Sequence, residues 1–152
     1  MDTLEAAVSM MKPGCFMASV ELKDASYTVP IHPSHQKYLK FWFYGVFYQY
    51  TCLPNGLARA PRIFTKILKA VYATLRSMGH LNSGHIDDSY LQEDTSEECH
   101  QNVIDTATLF TKLGFYIDPE KSILVPTQQL TFLGFVLDSI AMSVTLTEEK
   151  NP

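Results

Sequence analysis

Two adjacent carboxylates, Asp87 and Asp88, constrain the fold more than any other feature of the chain. The segments 81–86 and 89–91 that flank them are apolar or β-prone, which predicts a β-hairpin with both acids at or beside its turn. Two anions at a hairpin tip repel each other unless a cation lies near. Oxygen ligands of this kind suit Mg²⁺, which is often held by one or two carboxylates together with substrate phosphates. Because Asp is also common in ordinary turns, the pair alone leaves a purely structural interpretation open.

Composition places the chain among globular proteins. Its 152 residues are enough for one domain with a hydrophobic core. Hydrophobic residues make up 46% of the chain and charged residues 18%, a balance that excludes a disordered segment. The formal net charge of −4 argues against a free-standing nucleic-acid-binding protein, since such proteins are usually basic. It leaves room for one piece of a nucleic-acid-binding protein whose basic channel lies on other segments.

Cysteine usage and apolar runs bear on the compartment. Cys15, Cys52 and Cys99 are far apart, and no zinc-binding spacing occurs, so neither a disulfide framework nor a zinc site is indicated. No signal-peptide pattern is visible, and the most apolar run, Phe41 to Tyr50, is too short to span a bilayer. We therefore expect a reduced intracellular protein, in cytoplasm or nucleus, with no membrane partner.

Hydrophobic periodicity predicts the order of the elements. A lead-in segment, residues 1–14, precedes a buried strand over 15–22, and two aromatic strands meet at a turn at Tyr44-Gly45. A first helix is expected from Pro61 and a second from the cap Thr95. Short strands follow over 115–117, 122–125, 131–137 and 142–146. This order predicts an α+β fold, a small antiparallel sheet with two helices packed on one face.

The first predicted helix carries an apolar stripe and a basic stripe. Apolar residues recur every four positions and are expected to be buried: Ile63, Ile67, Val71 and Leu75. Basic residues recur at spacings of three, four, three and seven on another face: Arg59, Arg62, Lys66, Lys69 and Arg76. The basic stripe is either an ordinary solvated face or a surface that faces phosphates.

A third carboxylate lies at the end of the first predicted strand. If that strand and the hairpin are neighbours, Glu21 converges with Asp87 and Asp88 at one edge of the sheet. Two-metal nucleotidyl transfer uses such a cluster, with one ion activating a 3′-hydroxyl and the other stabilising the leaving pyrophosphate. The two ions lie about 4 Å apart in enzymes of this kind.

Five sequence blocks follow one another in a fixed order. They are Glu21 to Ala25 with Val29 to Pro33, Leu53 to Phe64, His85 to Asp88, Leu113 to Phe115 with Pro119 to Ser122, and Phe132 to Phe135. These blocks are similar, in this order, to motifs A to E of reverse transcriptases. The chain resembles the palm region of those polymerases, and most of all that of tyrosine-recombinase retrotransposons of the DIRS group.

The resemblance implies an RNA-directed DNA polymerase that uses an RNA template, a DNA primer, deoxynucleoside triphosphates and Mg²⁺ or Mn²⁺. It implies that Glu21, Asp87 and Asp88 bind the metal, and that Lys121 is a candidate general acid for pyrophosphate release. The remaining implied roles are nucleotide binding by Leu22, Lys23, Asp24, Ala25, Ser26 and Asn55, and a primer grip at Leu133 and Gly134. It also implies a palm-like domain over residues 15–150 with a partial fingers hairpin, the full fingers, thumb and RNase H coming from other segments.

Three positions depart from the family pattern. Glu21 stands where the family has Asp, Ser26 replaces an aromatic residue that excludes the ribose 2′-hydroxyl, and His85 replaces a Tyr. The extra methylene of Glu21 adds roughly 1.5 Å of reach at an ion that demands octahedral geometry. Since a misplacement of about 1 Å can cost on the order of a hundredfold in rate, we expect catalysis to be impaired.

Two other functions compete with an impaired polymerase. A catalytically dead or co-opted module would keep the fold and bind only nucleic acid or protein. A simple RNA-recognition domain would need aromatic residues within a basic block, and the aromatic run from Phe41 to Tyr50 lacks that pattern.

Overall fold

The computed structural model describes residues 4–23, 40–43, 45–49 and 60–147. The helices in these ranges are α1 (Leu4–Met10), α2 (Ala60–Ser77) and α3 (Ser96–Lys112). The strands are β1 (Phe16–Lys23), β2 (Lys40–Phe43), β3 (Val46–Gln49), β4 (Leu81–His85), β5 (Asp88–Glu93), β6 (Tyr116–Ile117), β7 (Ile123–Thr127), β8 (Gln129–Phe132), β9 (Phe135–Asp138) and β10 (Ser143–Leu146).

The central sheet is built around β1. Its strand order is β4-β5-β1-β6, and β7 also pairs with β1 along the edge that β6 uses. The pairings of β1 with β5, β6 and β7 and of β4 with β5 are all antiparallel. A second sheet has the order β10-β9-β8, and β2 and β3 form a separate hairpin. β1 is therefore enclosed by hydrogen-bonded neighbours on both sides.

The alternation of side chains along β1 divides the hydrophobic core in two, because successive strand residues point to opposite faces. Ala18, Val20 and Leu22 pack with α2 and α3 in the helix-side core. That core comprises Ala18, Val20, Leu22, Leu68, Val71, Tyr72, Leu75, Leu91, Cys99, Val103, Phe110 and Phe115. The second core, on the other face, comprises Ala7, Met11, Cys15, Met17, Tyr90, Leu130, Phe132 and Leu137. This arrangement confirms the predicted α+β fold with two helices on one face of an antiparallel sheet.

Helix α2 begins one residue before the predicted start, and its buried face differs from the predicted stripe. Leu68, Val71, Tyr72 and Leu75 are buried, at spacings of i, i+3, i+4 and i+7. Ile67 is 37% exposed, so the prediction was wrong there. A strict four-residue repeat drifts by about 40° per step around a helix of 3.6 residues per turn, which carries one end of the stripe off the buried face.

Helix α3 begins and ends where the sequence predicts. The Oγ1 atom of Thr95 accepts a hydrogen bond from the backbone N–H of Glu98 at 3.1 Å, which is the expected N-terminal cap. Gly114 follows the C-terminal end with a φ of 92°, a conformation that favours glycine. The cap and the glycine together fix the position of α3 along the sheet.

Two features differ from the sequence prediction. Helix α1 lies within the predicted lead-in segment, and Ala7 is completely buried there. The predicted strand over 131–137 is two strands, β8 and β9, because Leu133 and Gly134 turn the chain with φ values of 52° and 80°.

The predicted aromatic hairpin is confirmed as β2 and β3, with Gly45 at its turn. None of the helices in the described ranges is long and apolar enough to cross a bilayer.

The helix-side core can be tested by truncating one of its members. Leu75 is fully buried and Leu146 is 66% exposed, so the two leucines form a matched pair. We expect Leu75→Ala to lower the free energy of unfolding by about 2–5 kcal/mol, and Leu146→Ala by less than about 0.5 kcal/mol. Urea denaturation followed by circular dichroism measures both values. Equal losses in the two variants would contradict the assignment of Leu75 to the core.

Candidate metal centre

The candidate centre lies at one row of the central sheet, that is, at residues paired with one another across neighbouring strands. In the register of the strands, Glu21 of β1 stands opposite Asp88 of β5, and Asp88 stands opposite His85 of β4. Ile86 and Asp87 form the two-residue turn between β4 and β5, and Ile86 has a φ of 54°. The predicted hairpin is confirmed, with one aspartate in the turn and the other opening β5.

Three carboxylates converge at this row, as the sequence predicts. One oxygen each of Glu21, Asp87 and Asp88 lies within 4.8 Å of the others, and all three residues are partly exposed. Glu21 lies between Val20 and Leu22, which both point into the helix-side core, so its side chain belongs to the opposite face. The cluster is therefore on the face of the sheet opposite to α2 and α3. The longer side chain of Glu21 still brings its carboxylate into the cluster.

The negative charges of the three carboxylates repel one another. Desolvation and, after it, the negative charges of Asp88 and Asp87 raise the pKa of Glu21. Desolvation and the charge of Asp87 raise the pKa of Asp88 to about 6. The ammonium group of Lys121 acts in the opposite direction on both carboxyls. A divalent cation would relieve the same repulsion more strongly, which makes these residues a fitting ligand set for a hard metal ion.

The loop between β6 and β7 supports the backbone of Glu21. The backbone N–H of Glu21 donates to Oγ of Ser122 at 2.9 Å, and the backbone N–H of Asp118 donates to the carbonyl of Glu21 at 2.8 Å. The backbone N–H of Leu22 donates to the carbonyl of Asp87 at 2.9 Å, which ties β1 to the turn of the hairpin. These bonds hold the main chains of two of the three acids at a fixed spacing.

Lys121 lies in the same loop, and its side chain is exposed. The carboxylate of Asp118 accepts hydrogen bonds from the backbone N–H groups of Glu120 at 3.0 Å and Lys121 at 3.3 Å. This turn presents Lys121 beside the cluster, where its charge acts on Glu21 and Asp88.

The other predicted site residues are distributed more widely. Leu22 is buried in the helix-side core, and Lys23 is exposed at the end of β1. Leu133 and Gly134 form the turn of the second sheet, whereas the acids belong to the central sheet. The predicted nucleotide-binding residues Asp24, Ala25, Ser26 and Asn55 lie outside the described residues.

The basic stripe is only partly described. Lys66 and Lys69 are exposed on α2. Arg76 instead binds the edge of the sheet, since its guanidinium donates to Oδ1 of Asn82 at 2.8 Å and to the carbonyl of Asn82 at 3.0 Å. Arg59 and the side chain of Arg62 lie outside the described part of the chain.

Sequence reasoning assigned no role to Ser122 or Tyr72. Ser122 holds the backbone of Glu21, and its place beside Lys121 in a family-like block was the available signal. Tyr72 packs beneath the hairpin, and its spacing of four residues from Leu68 places it on the buried face of α2. Within the described residues, Nδ1 of His85 is the one buried side-chain polar atom without a hydrogen-bond partner.

Comparison with known proteins gives a consistent assignment. The family described as reverse transcriptase (RNA-dependent DNA polymerase) matches residues 2–137. The Gag-Pro-Pol polyprotein of Human T-cell leukemia virus 2 is 30% identical over 130 residues, which cover 80% of this chain and 9% of the polyprotein. That of Squirrel monkey retrovirus is 28% identical over 130 residues, which cover 78% of this chain and 7% of the polyprotein. The chain therefore spans less than a tenth of these two relatives.

Solved structures show the same fold. A foamy viral protease-reverse transcriptase in complex with dsDNA matches 98% of this chain and 30% of its own, at a TM-score of 0.79 and 20% identity. The foamy viral protease-reverse transcriptase in complex with an RNA/DNA hybrid matches 98% of this chain and 20% of its own, at a TM-score of 0.78 and 21% identity. The match of residues 2–137 covers most of the sequence, and the chain belongs to the reverse transcriptase (RNA-dependent DNA polymerase) family.

Proposed function

We propose that this chain is the palm-like domain of an RNA-directed DNA polymerase and that it binds divalent metal at Glu21, Asp87 and Asp88. The observation that carries the proposal is the convergence of three partly exposed carboxylates within 4.8 Å, on the sheet face opposite to α2 and α3. An isolated acidic cluster would be ambiguous, but this one occurs in a chain of the reverse transcriptase family. The palm-like domain extends over residues 15–150, and the β2–β3 hairpin is its partial fingers.

The three carboxylates would hold Mg²⁺, with Mn²⁺ as an alternative. When bound, such ions supply charge stabilisation to the attacking 3′-oxygen and to the leaving pyrophosphate in nucleotidyl transfer. The contribution of the chain is to fix its ligands. The backbone N–H of Leu22 donates to the carbonyl of Asp87, and Oγ of Ser122 accepts from the backbone N–H of Glu21. We assign to Lys121 the donation of a proton from Nζ to the departing pyrophosphate, and the action of its ammonium group on two of the three acids supports this role.

The family and its solved members support the substrates that we propose. The foamy viral enzymes were captured with dsDNA and with an RNA/DNA hybrid. By analogy this chain would act on an RNA template and a DNA primer with deoxynucleoside triphosphates, while other segments supply fingers and thumb. The main chain of residues 22–26 and Asn55 would contact the nucleotide, Leu133 and Gly134 would brace the primer end, and Arg59, Arg62, Lys66 and Lys69 would contact template phosphates. An intracellular retrotransposon of the DIRS group is the proposed source.

We expect Glu21 to give a lower rate of nucleotidyl transfer than the aspartate that the family has at this position. The carboxylate of Glu21 reaches the cluster. Because the side chain of glutamate is longer than that of aspartate by one methylene group, it approaches an octahedral ion from a different distance. The same substitution favours a second candidate function, a catalytically inactive module that retains metal and nucleic-acid binding. A comparison of Glu21 with aspartate at this position separates the two.

Metal binding is tested first with an isosteric substitution. We expect Asp87→Asn to weaken Mn²⁺ binding by at least about tenfold, because it removes an anionic ligand while keeping the shape of the side chain. The exposed Asp94, just beyond β5, supplies the matched control Asp94→Asn, which we expect to leave the affinity unchanged. Titration with Mn²⁺ followed by electron paramagnetic resonance measures both. Equal weakening in the two variants would indicate nonspecific binding.

The repulsion in the cluster predicts a pH-dependent stability. The pKa of Asp88 is raised from 3.8 to about 6, so the metal-free folded protein binds this proton more tightly than the unfolded chain, and stability falls as pH rises through that interval. Asp88→Asn cannot ionise. After allowance for partial exposure we expect it to raise Tm at pH 7 in EDTA by about 2–4 °C and to have little effect at pH 4. Thermal melts measure Tm at both pH values, and an equal gain in Tm at pH 7 and pH 4 would refute this prediction.

Catalysis is tested by primer extension on an RNA template with Mg²⁺ or Mn²⁺. We expect Glu21→Asp to incorporate deoxynucleotides on the order of tenfold faster than the unmodified chain, because it restores the shorter ligand. Asp87→Asn should abolish incorporation in either background, with far-UV circular dichroism as the check on folding. A folded Glu21→Asp chain that binds Mn²⁺ and primer-template but incorporates nothing would favour the inactive module.

A further inference from the structure

Tyr72 of α2 makes an unusually close contact with the hairpin that carries Asp87 and Asp88. A Cβ atom placed on Gly84 of β4 would lie 2.3 Å from one ring carbon of Tyr72 and 2.5 Å from another and from the hydroxyl oxygen. Gly84 is therefore the residue that lets the tyrosine ring lie directly against the strand. Tyr72 is 6% exposed, and Phe110 of α3 packs edge-on against its ring at a centroid distance of 6.3 Å.

The hydroxyl of Tyr72 extends the contact to the second strand of the hairpin. It forms a hydrogen bond of 2.7 Å with Oγ of Ser89, which is completely buried. Gly84 and Ser89 are paired across β4 and β5, so one side chain touches both strands at the same row. Burial raises the pKa of Tyr72 to about 12, which keeps the hydroxyl protonated and able to donate or accept.

This row lies next to the row of the acids. His85 and Asp88 follow the Gly84–Ser89 pair by one step, and Val20, opposite Ser89, precedes Glu21. A displacement of the paired Gly84 and Ser89 would be passed through the backbone to Asp88 and to the turn. Tyr72 contacts the face of the hairpin opposite to the face that carries the carboxylates.

We propose that Tyr72 is a positioning residue for the metal centre: its ring against Gly84 and its hydrogen bond to Ser89 set where the β4–β5 turn places Asp87 and Asp88 relative to Glu21. The inference rests on the proposed function, because it concerns the same metal centre. Tyr72 touches neither metal nor substrate. It acts by fixing the backbone that presents two of the three ligands.

Two variants test the two halves of the contact. Tyr72→Phe keeps the ring and leaves the hydroxyl of Ser89 without this partner, and Gly84→Ala adds the methyl group that the ring excludes. We expect Tyr72→Phe to weaken Mn²⁺ binding severalfold and Gly84→Ala about tenfold or more, as is typical when an outer-shell partner of a metal site is lost. In Gly84→Ala/Tyr72→Leu the shorter side chain makes room for the methyl group, so binding should recover relative to Gly84→Ala.

A metal-free measurement separates positioning from general stability. The amide of Leu22 donates to the carbonyl of Asp87, and its hydrogen-exchange protection reports how readily this bond between β1 and the turn opens. We expect both variants to lose protection at this amide in EDTA. Val103→Ala, which truncates another member of the helix-side core, should lower Tm without changing Mn²⁺ affinity or that protection.

The outcomes are distinguishable. If the unmodified chain binds Mn²⁺ only weakly and Asp87→Asn does not reduce that binding, the metal centre itself is overturned, and this inference with it. An Asp87-dependent site whose affinity is unchanged in folded Tyr72→Phe would overturn the positioning role alone. If Gly84→Ala does not fold, Tyr72→Phe decides, because it removes one oxygen atom and keeps the packing of the ring.

Discussion

The register between β1 and β5 is the constraint on which the metal centre depends. Glu21 faces Asp88 only in this register, and a slip by one residue would turn every side chain of β1 to the other face of the sheet. Such a slip would remove Val20 and Leu22 from the helix-side core and Met17 from the second core. Because both faces of β1 are covered by apolar side chains, burial on two sides fixes the position of a charged residue at its end.

This packing must outweigh an unfavourable electrostatic arrangement. Three carboxylates within 4.8 Å repel one another, and partial desolvation disfavours their charged forms further. Lys121 offsets part of the repulsion from an exposed position, where a single charge is strongly screened by solvent. The metal-free fold therefore holds the acids together at a cost in stability, and the two cores supply the compensation. A cation would convert that cost into binding free energy.

Local signals in the sequence were sufficient for the elements that present the acids. The Asp87-Asp88 hairpin, the start of α2 within one residue of Pro61 and the cap at Thr95 each follow from residues adjacent in sequence. The turn at Leu133 was missed because a non-glycine residue adopts a positive φ there. Contacts between distant segments were also not predictable, since the bond from Glu21 to Ser122 joins residues 101 positions apart. The contact of Tyr72 with Gly84 was likewise not predictable, because it depends on how α2 crosses the sheet.

Glu21 shows why the presence of a ligand and its geometry must be separated. Its backbone is held by Ser122 and Asp118 independently of the side chain, so the end of β1 is in place whichever acid it carries. The added methylene changes only the approach of the carboxylate to the cluster, and the carboxylate still arrives there. Metal affinity depends on both the number and the placement of the anionic ligands, whereas the rate of nucleotidyl transfer depends more steeply on placement, since about 1 Å can cost on the order of a hundredfold. The substitution at position 21 should therefore affect catalysis more than metal binding.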